Sequence, residues 1–364
     1  GRRIIRYICF EESAGRNLLG WLKIFGKGLG LIIFERQYPK ILVLEMGIDR
    51  IGDMKYLTDM VPVDIGVVTK ISPVHLEFFK TIDKIAKEKS ILVRRLKAGG
   101  WGVLNLDDER VAEMKNAVNG RFVTFGLDRE AQVRALEIDL SYKAEKVAGL
   151  SFKLVYNGAV VPVFLPNILA EHLIYSALAA ASVGVILEMN LLEISQALAK
   201  FTSPLGRMRL IEGIAGSQVI DDTYNASPES TVAAIKTLVK IKNKRRKIAV
   251  LGDMLELGDY EREGHELVGQ EIAQTPIDLL VVVGNRGKII ANSALEFGFK
   301  GEVKFFTDSA SAGSYLQGEI VTGDLILVKG SQGVRMEKVS RALLSQSEQA
   351  KKLLVRQDES WLNR

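Results

Sequence analysis

The apolar residues of this chain follow two patterns. In the first part they form short runs separated by helical stretches. We interpret three such runs as buried parallel strands, at residues 41–44, 65–68 and 103–104. Residues 132–165 instead alternate between apolar and polar positions, which predicts antiparallel strands with Asn157-Gly158 as a hairpin turn. Two helical stretches follow, and the pattern breaks at Ser203-Pro204.

After this break, strands and helices alternate strictly. Five short apolar runs, each followed by a helical segment, are the predicted strands: residues 218–220, 248–251, 279–283, 303–306 and 325–328. Such alternation predicts an α/β fold with a parallel sheet covered by helices on both faces. In sheets of this kind, ligands bind beyond the carboxyl ends of the strands.

The length of 364 residues exceeds what one hydrophobic core usually holds. We therefore expect one domain in residues 1–203, a second in residues 204–346, and a charged, loosely held tail in residues 347–364. The chain begins with Gly1 and its first twelve residues show no clear pattern, so we expect further residues upstream.

Residues 18–34 are apolar enough to raise the question of a membrane helix. The stretch has only 17 residues and contains Lys23 and Lys27, whereas a spanning helix needs about 20 nearly uncharged residues. We expect a helix packed within the domain, with an interfacial membrane helix as the alternative, and no stable membrane insertion.

Composition narrows the function classes. A net charge of +5 is mild for this length and the basic residues are scattered apart from residues 242–247, so nucleic-acid binding is not indicated. The single cysteine, Cys9, excludes an intramolecular disulfide framework and fits a reducing compartment. We expect a cytoplasmic monomer.

Three residues of the first part suggest chemistry. Glu45 ends one predicted strand and His75 follows the next, both at a carboxyl edge. Lys89 falls within the apolar stripe of a predicted helix at residues 81–96, so a lysine faces the core. Burial lowers the pKa of a lysine, and the neutral amine reacts with carbon dioxide to form an anionic carbamate.

The same three residues have a structural interpretation, which spacing alone favours. Lys89 would then extend to solvent or pair with Glu77. His75 would be a hydrogen-bonded core histidine, and Glu45 would cap a neighbouring helix.

A second group follows the strand at residues 218–220. Ser227 and Pro228 are typical of a helix start, but capping does not explain the consecutive carboxylates Asp221 and Asp222, which suit a ribose hydroxyl or a metal. Arg207, in the preceding hinge, could bind a phosphate, and an exposed surface arginine is the simpler interpretation.

A third group lies in two glycine-containing turns. Residues 329–333 end a strand and open a helix, so their backbone N–H groups could bind a carboxylate, although a plain tight turn explains the glycines equally well. Asp253 and Glu256, in the turn after residues 248–251, could bind a substrate ammonium.

Taken in order, these strings resemble the Mur ligases. The resemblance covers residues 14–345, and the combination of its last three strings is specific. The strings are Glu45-Met46-Gly47, His75-Leu76-Glu77, Ala86-Lys87-Glu88-Lys89, VLNLDD at 103–108, DDTYNASP at 221–228, LGDMLELG at 251–258 and VKGSQGVRM at 328–336.

The resemblance implies an ATP-dependent ligase that joins a carboxylate to an amine through an acyl phosphate. It implies an α/β fold with a truncated central ATPase-type domain followed by a Rossmann-like C-terminal domain. Among family members, the most similar motifs belong to those that add D-alanyl-D-alanine to UDP-N-acetylmuramoyl-tripeptide in peptidoglycan synthesis.

Site roles are carried over by motif. Glu45, His75 and a carbamylated Lys89 would be catalytic and would hold Mg²⁺. The expected ATP contacts are Arg207, Asp222, Asn225 and His172. The expected dipeptide contacts are Asp253, Glu256, Lys329, Gly330, Ser331 and Arg335.

Departures from the family pattern keep other functions open. The phosphate loop Gly-x-x-Gly-Lys-[ST] and the UDP-sugar-binding domain of the family are absent from the 364 residues, and the family's His-Asn pair is His172-Leu173 here. We therefore expect a truncated or degenerate ligase. The alternatives are a non-catalytic nucleotide- or peptide-binding module, or another superfamily ligase such as a folylpolyglutamate or cyanophycin synthetase. The DDTYNASP and LGDMLELG pair disfavours that last possibility.

Overall fold

The computed structural model describes residues 18–34, 40–72, 76–242 and 245–362. These residues form two sheets of six strands each, one within residues 63–166 and the other within residues 209–329. Helices pack on both sheets, which confirms the predicted α/β class.

The first sheet combines a parallel and an antiparallel half. Its strands are β1 (Val63–Val68), β2 (Leu96–Asn105), β3 (Arg121–Gly126), β4 (Val133–Lys143), β5 (Lys146–Tyr156) and β6 (Ala159–Pro166), in that spatial order. Strands β1 to β4 run parallel, and β4 to β6 run antiparallel. Asn157 and Gly158 turn the chain from β5 to β6 with φ of 47° and 79°. Positive φ at both positions is what a type I′ turn requires, so the predicted hairpin is confirmed.

The described helices of this part are α1 (Leu18–Phe34), α2 (Asp53–Met60), α3 (Leu76–Phe79), α4 (Ile82–Arg94), α5 (Glu109–Ala112), α6 (Leu173–Ile186) and α7 (Leu191–Leu198). Helices α4 and α6 pack on the parallel half, and α7 packs on β5 and β6. Helix α4 begins after Thr81, whose side chain accepts a hydrogen bond from the Lys84 N–H. Its apolar stripe, including the buried Ile85 and Val93, packs against β1 and β2.

The second sheet is parallel except for one edge strand. Its strands are β7 (Arg209–Glu212), β8 (Gln218–Asp222), β9 (Lys247–Gly252), β10 (Leu279–Val283), β11 (Glu302–Phe306) and β12 (Leu325–Lys329). Their spatial order is β11-β10-β9-β12-β8-β7, and only β7 is antiparallel. The five strands predicted from the alternating pattern are all present.

Helices cover both faces of this sheet. They are α8 (Pro228–Lys240), α9 (Glu261–Ala273), α10 (Gly287–Glu296), α11 (Ser309–Glu319) and α12 (Glu337–Ala342), followed by the short α13 (Ala350–Leu353) and α14 (Glu359–Leu362). Successive strand residues point to opposite faces. Leu251 thus joins the core under α8, α9 and α10, whereas Val250 joins the core under α11 and α12. The first of these cores continues into the first sheet, so the two sheets share a hydrophobic interior.

Two predictions for the first part are wrong. Residues 41–44 form no strand, and the side chains of Leu42, Val43 and Leu44 are exposed, since no described strand pairs with this segment. Helix α1 exists, but among its described side chains Trp21, Leu22, Phe25 and Leu29 are exposed rather than packed within the domain as expected. None of the described helices is both long and apolar enough to span a bilayer.

The C-terminal residues also differ from expectation. They were predicted to be loosely held from residue 347 onward because they are rich in charge. In the structure Ala350 and Leu354 are buried against the core of the second sheet. Arg356 donates hydrogen bonds to the carbonyls of Thr223 and Tyr224, in the turn after β8, and to Glu337 on α12. Apolar anchors and a paired arginine therefore fix a segment whose overall composition is polar.

Candidate functional site

Three turns meet at one edge of the second sheet. Strands β9, β12 and β8 are adjacent, so their carboxyl ends place the turns after Gly252, Lys329 and Asp222 side by side. This is the edge at which parallel sheets bind ligands, as the sequence predicts. The structure thus brings together the three C-terminal motifs.

Lys329 joins its own turn to the turn after Asp222. Its Nζ donates to Asp222 Oδ2 at 2.7 Å and to the Asn225 carbonyl oxygen at 3.0 Å. Asp222 Oδ1 in turn accepts the Met208 N–H at 3.1 Å. Lys329 is therefore an internal partner of the predicted nucleotide-binding residues rather than an exposed cation.

Ser331 and Gly330 join the turn after Lys329 to the turn after Gly252. The Ser331 N–H donates to the Asp253 carbonyl at 3.0 Å, and its hydroxyl oxygen accepts the Leu255 N–H at 2.8 Å. A Cβ at position 330 would lie 2.5 Å from Met336 Cγ and 3.2 Å from Gly252 Cα. Only glycine fits this close approach, which answers why the turn has a glycine there.

Asp221 and Asp222 do not act as a pair. They are consecutive on β8, so their side chains point to opposite faces of the sheet, which corrects the expectation of two carboxylates in one site. Asp221 is fully buried and its Oδ1 accepts hydrogen bonds from the hydroxyls of Thr223 and Ser340. Burial raises the pKa of Asp221 to about 6, against the effect of those hydroxyls and with smaller contributions from Asp222 and Glu337.

Asp253 and Glu256 occupy different environments in their shared turn. Asp253 Oδ1 accepts the Gly287 N–H at 2.7 Å at the start of α10, and burial raises the pKa of Asp253 although this bond opposes the shift. Glu256 is exposed with φ of 63°, a left-handed conformation that non-glycine residues rarely adopt. Of the two carboxylates, only that of Glu256 faces solvent.

Arg207, Tyr224 and His172 lie where the two sheets meet. The Arg207 guanidinium is 4.2 Å from the centroid of the Tyr224 ring, a cation–π contact. His172 precedes α6, and although more than a third of it is exposed, desolvation by the surrounding protein lowers its pKa. Asp222 opposes this shift, whereas Arg207 and Lys329 add to it, so all three charges lie close to the imidazole.

Lys89 lies where the apolar stripe of α4 places it. It is half-buried, and its Nζ donates to the Lys70 carbonyl oxygen at 3.2 Å. Burial lowers the pKa of Lys89, and the charge of Asp108 partly opposes this effect. Its neighbour Glu88 is more deeply buried and accepts the N–H groups of Gly52 and Met54 at the start of α2.

The predicted metal residues are not assembled by the described part of the chain. Glu45 is exposed and follows an irregular segment rather than a buried strand, and His75 lies outside the described residues. Within the described residues no three His, Cys, Asp or Glu side chains come together as a metal site. The fit of Mg²⁺ to Glu45, His75 and Lys89 therefore stays a prediction.

Sequence reasoning missed several residues at the site. His265 is fully buried and accepts the Met254 N–H at 3.0 Å through Nε2, which fixes the Asp253 turn. Arg335, expected to contact the dipeptide, pairs with the buried Glu337, and its guanidinium is 5.1 Å from the Trp361 ring. Arg356 pairs with the same glutamate. His265 could have been singled out from the sequence as a histidine within a predicted helix. The contacts of Trp361 and Arg356 could not, because they depend on the tertiary fold.

Two family models match the chain. The Mur ligase middle domain matches residues 29–184, and the model described as Mur ligase, glutamate ligase domain, matches residues 206–332. These regions contain the first and second sheets and the three strand-end turns. The chain belongs to the Mur ligase family.

Individual relatives share a more specific name. The UDP-N-acetylmuramoyl-tripeptide–D-alanyl-D-alanine ligase of Bacillus subtilis is 29% identical over 323 residues, which cover 88% of this chain and 68% of that protein. The Mycobacterium leprae ligase of the same name is 30% identical over 328 residues, covering 83% and 63%. A crystal structure of MurF from Acinetobacter baumannii has a TM-score of 0.73 and 28% identity, covering 84% and 65%. The chain thus spans about two thirds of the length of these relatives.

Proposed function

We propose that this chain carries the nucleotide and dipeptide sites of an ATP-dependent ligase that adds D-alanyl-D-alanine to UDP-N-acetylmuramoyl-tripeptide. The observation that supports this proposal most directly is that three turns meet at the ends of β8, β9 and β12. Lys329 and Ser331 join these turns by hydrogen bonds. The relatives named for this reaction support it. The single cysteine supports action in the cytoplasm.

The nucleotide side of the proposal rests on Arg207, Asp222, Asn225 and His172. Arg207 provides a permanent positive charge for a phosphate at the junction of the two sheets. Asp222 is held in one orientation by Lys329 and suits a ribose hydroxyl. When bound, ATP would supply the phosphoryl group that activates the carboxylate of the tripeptide.

The dipeptide side rests on the turns at residues 253–256 and 329–335. The polar atoms of Lys329, Ser331 and Asp253 already have partners, so these residues would act by holding the turns in place. Glu256 is exposed and would attract the dipeptide ammonium. Gln332 and Gly333 are exposed at the glycine-containing turn, whose N–H groups would suit the dipeptide carboxylate.

Binding both substrates at adjacent turns would bring the amine to the activated carboxyl carbon. Attack by the amine forms the amide bond and releases phosphate, and positioning of this kind accounts for a large part of such rate enhancements. We also propose that Glu45, His75 and a carbamylated Lys89 would hold Mg²⁺. The ion would neutralise the negative charge of the phosphates.

Dipeptide binding by the chain tests this proposal. Calorimetry in the presence of excess MgATP should show heat with D-alanyl-D-alanine and none with L-alanyl-L-alanine. Glu256→Gln should weaken binding by about tenfold, the effect of losing a charge-assisted contact of about 1.4 kcal/mol. The matched control is Glu263→Gln, since Glu263 is an exposed glutamate on α9. Equal heats for both stereoisomers would contradict the proposal.

A further inference from the structure

The C-terminal segment, residues 354–362, reaches the site through Arg356. Its guanidinium donates to the Thr223 carbonyl at 2.9 Å and to the Tyr224 carbonyl at 2.6 Å. The same group lies 3.2 Å from Glu337 Oε2, and only 6% of the Arg356 side chain is exposed. One planar side chain therefore holds two consecutive carbonyls of the Asp222 turn.

The Tyr224 side chain connects Arg356 to Arg207. The Tyr224 ring contacts two guanidinium groups, that of Arg207 at 4.2 Å and that of Arg356 at 5.8 Å from its centroid. Tyr224 is 44% exposed. Its ring therefore links the Arg207 guanidinium, at the junction of the sheets, to the buried Arg356.

The segment also packs on the hinge before β7. The Gly206 carbonyl accepts the Tyr224 N–H at 2.9 Å, and Gly206 has φ of 68°. A Cβ at position 206 would lie 2.9 Å from the Tyr224 nitrogen and 3.1 Å from Val355 Cγ1. Val355, the hinge and the Asp222 turn are therefore in close contact.

The last contact joins the segment to the turn after Lys329. The Trp361 ring lies 5.1 Å from the Arg335 guanidinium and 5.6 Å from that of Arg356. Both arginines pair with the fully buried Glu337. The segment lies beyond residues 206–332, which the family model matches, yet it touches two of the three turns.

We propose that Arg356 is a positioning residue. It fixes the Asp222 turn, which contains Tyr224, and through the Tyr224 ring it fixes the Arg207 guanidinium. Its relevance to nucleotide binding rests on the proposed function, whereas its hold on the turn does not. Loss of Arg356 frees the carbonyls of Thr223 and Tyr224, so the Tyr224 N–H bond to the hinge opens more often.

Hydrogen exchange of the full chain tests the hold on the turn. The Tyr224 amide should exchange at least about tenfold faster in Arg356→Gln than in the parent, after subtraction of any change at Val281 in the central strand β10. Arg356→Lys keeps the charge beside Glu337 but lacks the planar fork, so the expected increase is smaller, about threefold. Arg262→Gln is the matched control, since Arg262 is exposed and pairs with Glu266 on its own helix, away from the Tyr224 turn.

A nucleotide titration gives a second, separate result. We expect MgADP to bind Arg356→Gln at least about fivefold more weakly than the parent, with Arg356→Lys in between and Arg262→Gln unchanged. Unchanged Tyr224 exchange in Arg356→Gln overturns the proposal, and if that variant does not fold, unchanged exchange in Arg356→Lys overturns it. A parent chain that binds no MgADP even at nucleotide concentrations well above about 1 mM would contradict the proposed function, while the exchange result would still decide the role of Arg356.

Discussion

Lys329 and Asp222 are register partners on the neighbouring parallel strands β12 and β8, and their side chains form a buried ion pair at 2.7 Å. Only 3% of the lysine side chain and 12% of the aspartate side chain are exposed. The pair joins the ends of two central strands at the edge where the three turns meet. The pair and the Met208 N–H together fix the orientation of Asp222, a proposed nucleotide contact.

This pair predicts strong coupling between the two residues. Lys329→Met or Asp222→Asn alone should lower the free energy of unfolding by about 3 kcal/mol, because each leaves one buried group without its partner. The double variant should lose about 1–3 kcal/mol less than the sum of the two single losses. Urea unfolding of the four proteins measures this, and strictly additive losses would contradict the coupling.

Asp221 predicts a pH dependence of stability. Its folded pKa is about 6, above the unfolded value of 3.8, so between these values the folded state holds a proton that the unfolded chain releases. Asp221 should therefore lower the unfolding free energy as pH rises through this window, by about 3 kcal/mol for a shift of about two units. The loss is complete above about pH 6.

Asp221→Asn should remove this contribution. Because the parent loses stability as pH rises and the variant does not, the unfolding free energy of Asp221→Asn minus that of the parent should increase from about pH 4 to about pH 7. The exposed Asp259 provides the control Asp259→Asn. A difference that stays constant across this range would show that Asp221 does not titrate there.

Lys89 predicts a site of carbamylation. Its half-buried amine has a lowered pKa, so a larger neutral fraction can react with carbon dioxide than at an exposed lysine. Carbon-13 NMR in labelled bicarbonate should show a carbamate signal in the parent and in Lys87→Arg, and none in Lys89→Arg. Lys87 is the matched control because it is exposed on the same helix. A signal that survives Lys89→Arg would assign the carbamate elsewhere.

The missing phosphate loop predicts weak nucleotide binding by these 364 residues. Each charge-assisted phosphate contact contributes about 1.5–3 kcal/mol, and the motif that supplies several of them is absent from the sequence. We expect a Kd for MgATP of about 1 mM or weaker by NMR titration. Micromolar affinity would require another phosphate-binding element in the chain.

The fold was predictable where burial forces a simple pattern. The run Leu325–Lys329 is buried along its whole length, and such apolar runs identified the four inner strands of the second sheet. The edge strand Arg209–Glu212 was missed because it is short and mixed in polarity. Residues 41–44 were wrongly predicted as a strand. Their apolar run fits the pattern, but a run forms a strand only when a partner strand lies beside it.

The site was predictable at the level of turns but not of side-chain partners. Strand ends located Asp222, Asp253 and Lys329 correctly at one edge. The pairing of Lys329 with Asp222 was not predictable from the sequence, because their contact spans 107 positions of the chain. Arg356 is an even longer-range partner of Tyr224, at 132 positions.

Dipeptide-dependent phosphate release tests the central claim most directly. The chain would be fused, upstream of Gly1, to the phosphate-loop and sugar-binding segments of a characterised Mur ligase and assayed with ATP and UDP-N-acetylmuramoyl-tripeptide. Phosphate release should require D-alanyl-D-alanine, fall by orders of magnitude in Lys89→Ala with the fold intact, and show a raised KM for the dipeptide in Glu256→Gln. Phosphate release that is independent of the dipeptide, or absent while both substrates bind, would contradict the assignment of these turns to a D-alanyl-D-alanine-adding ligase.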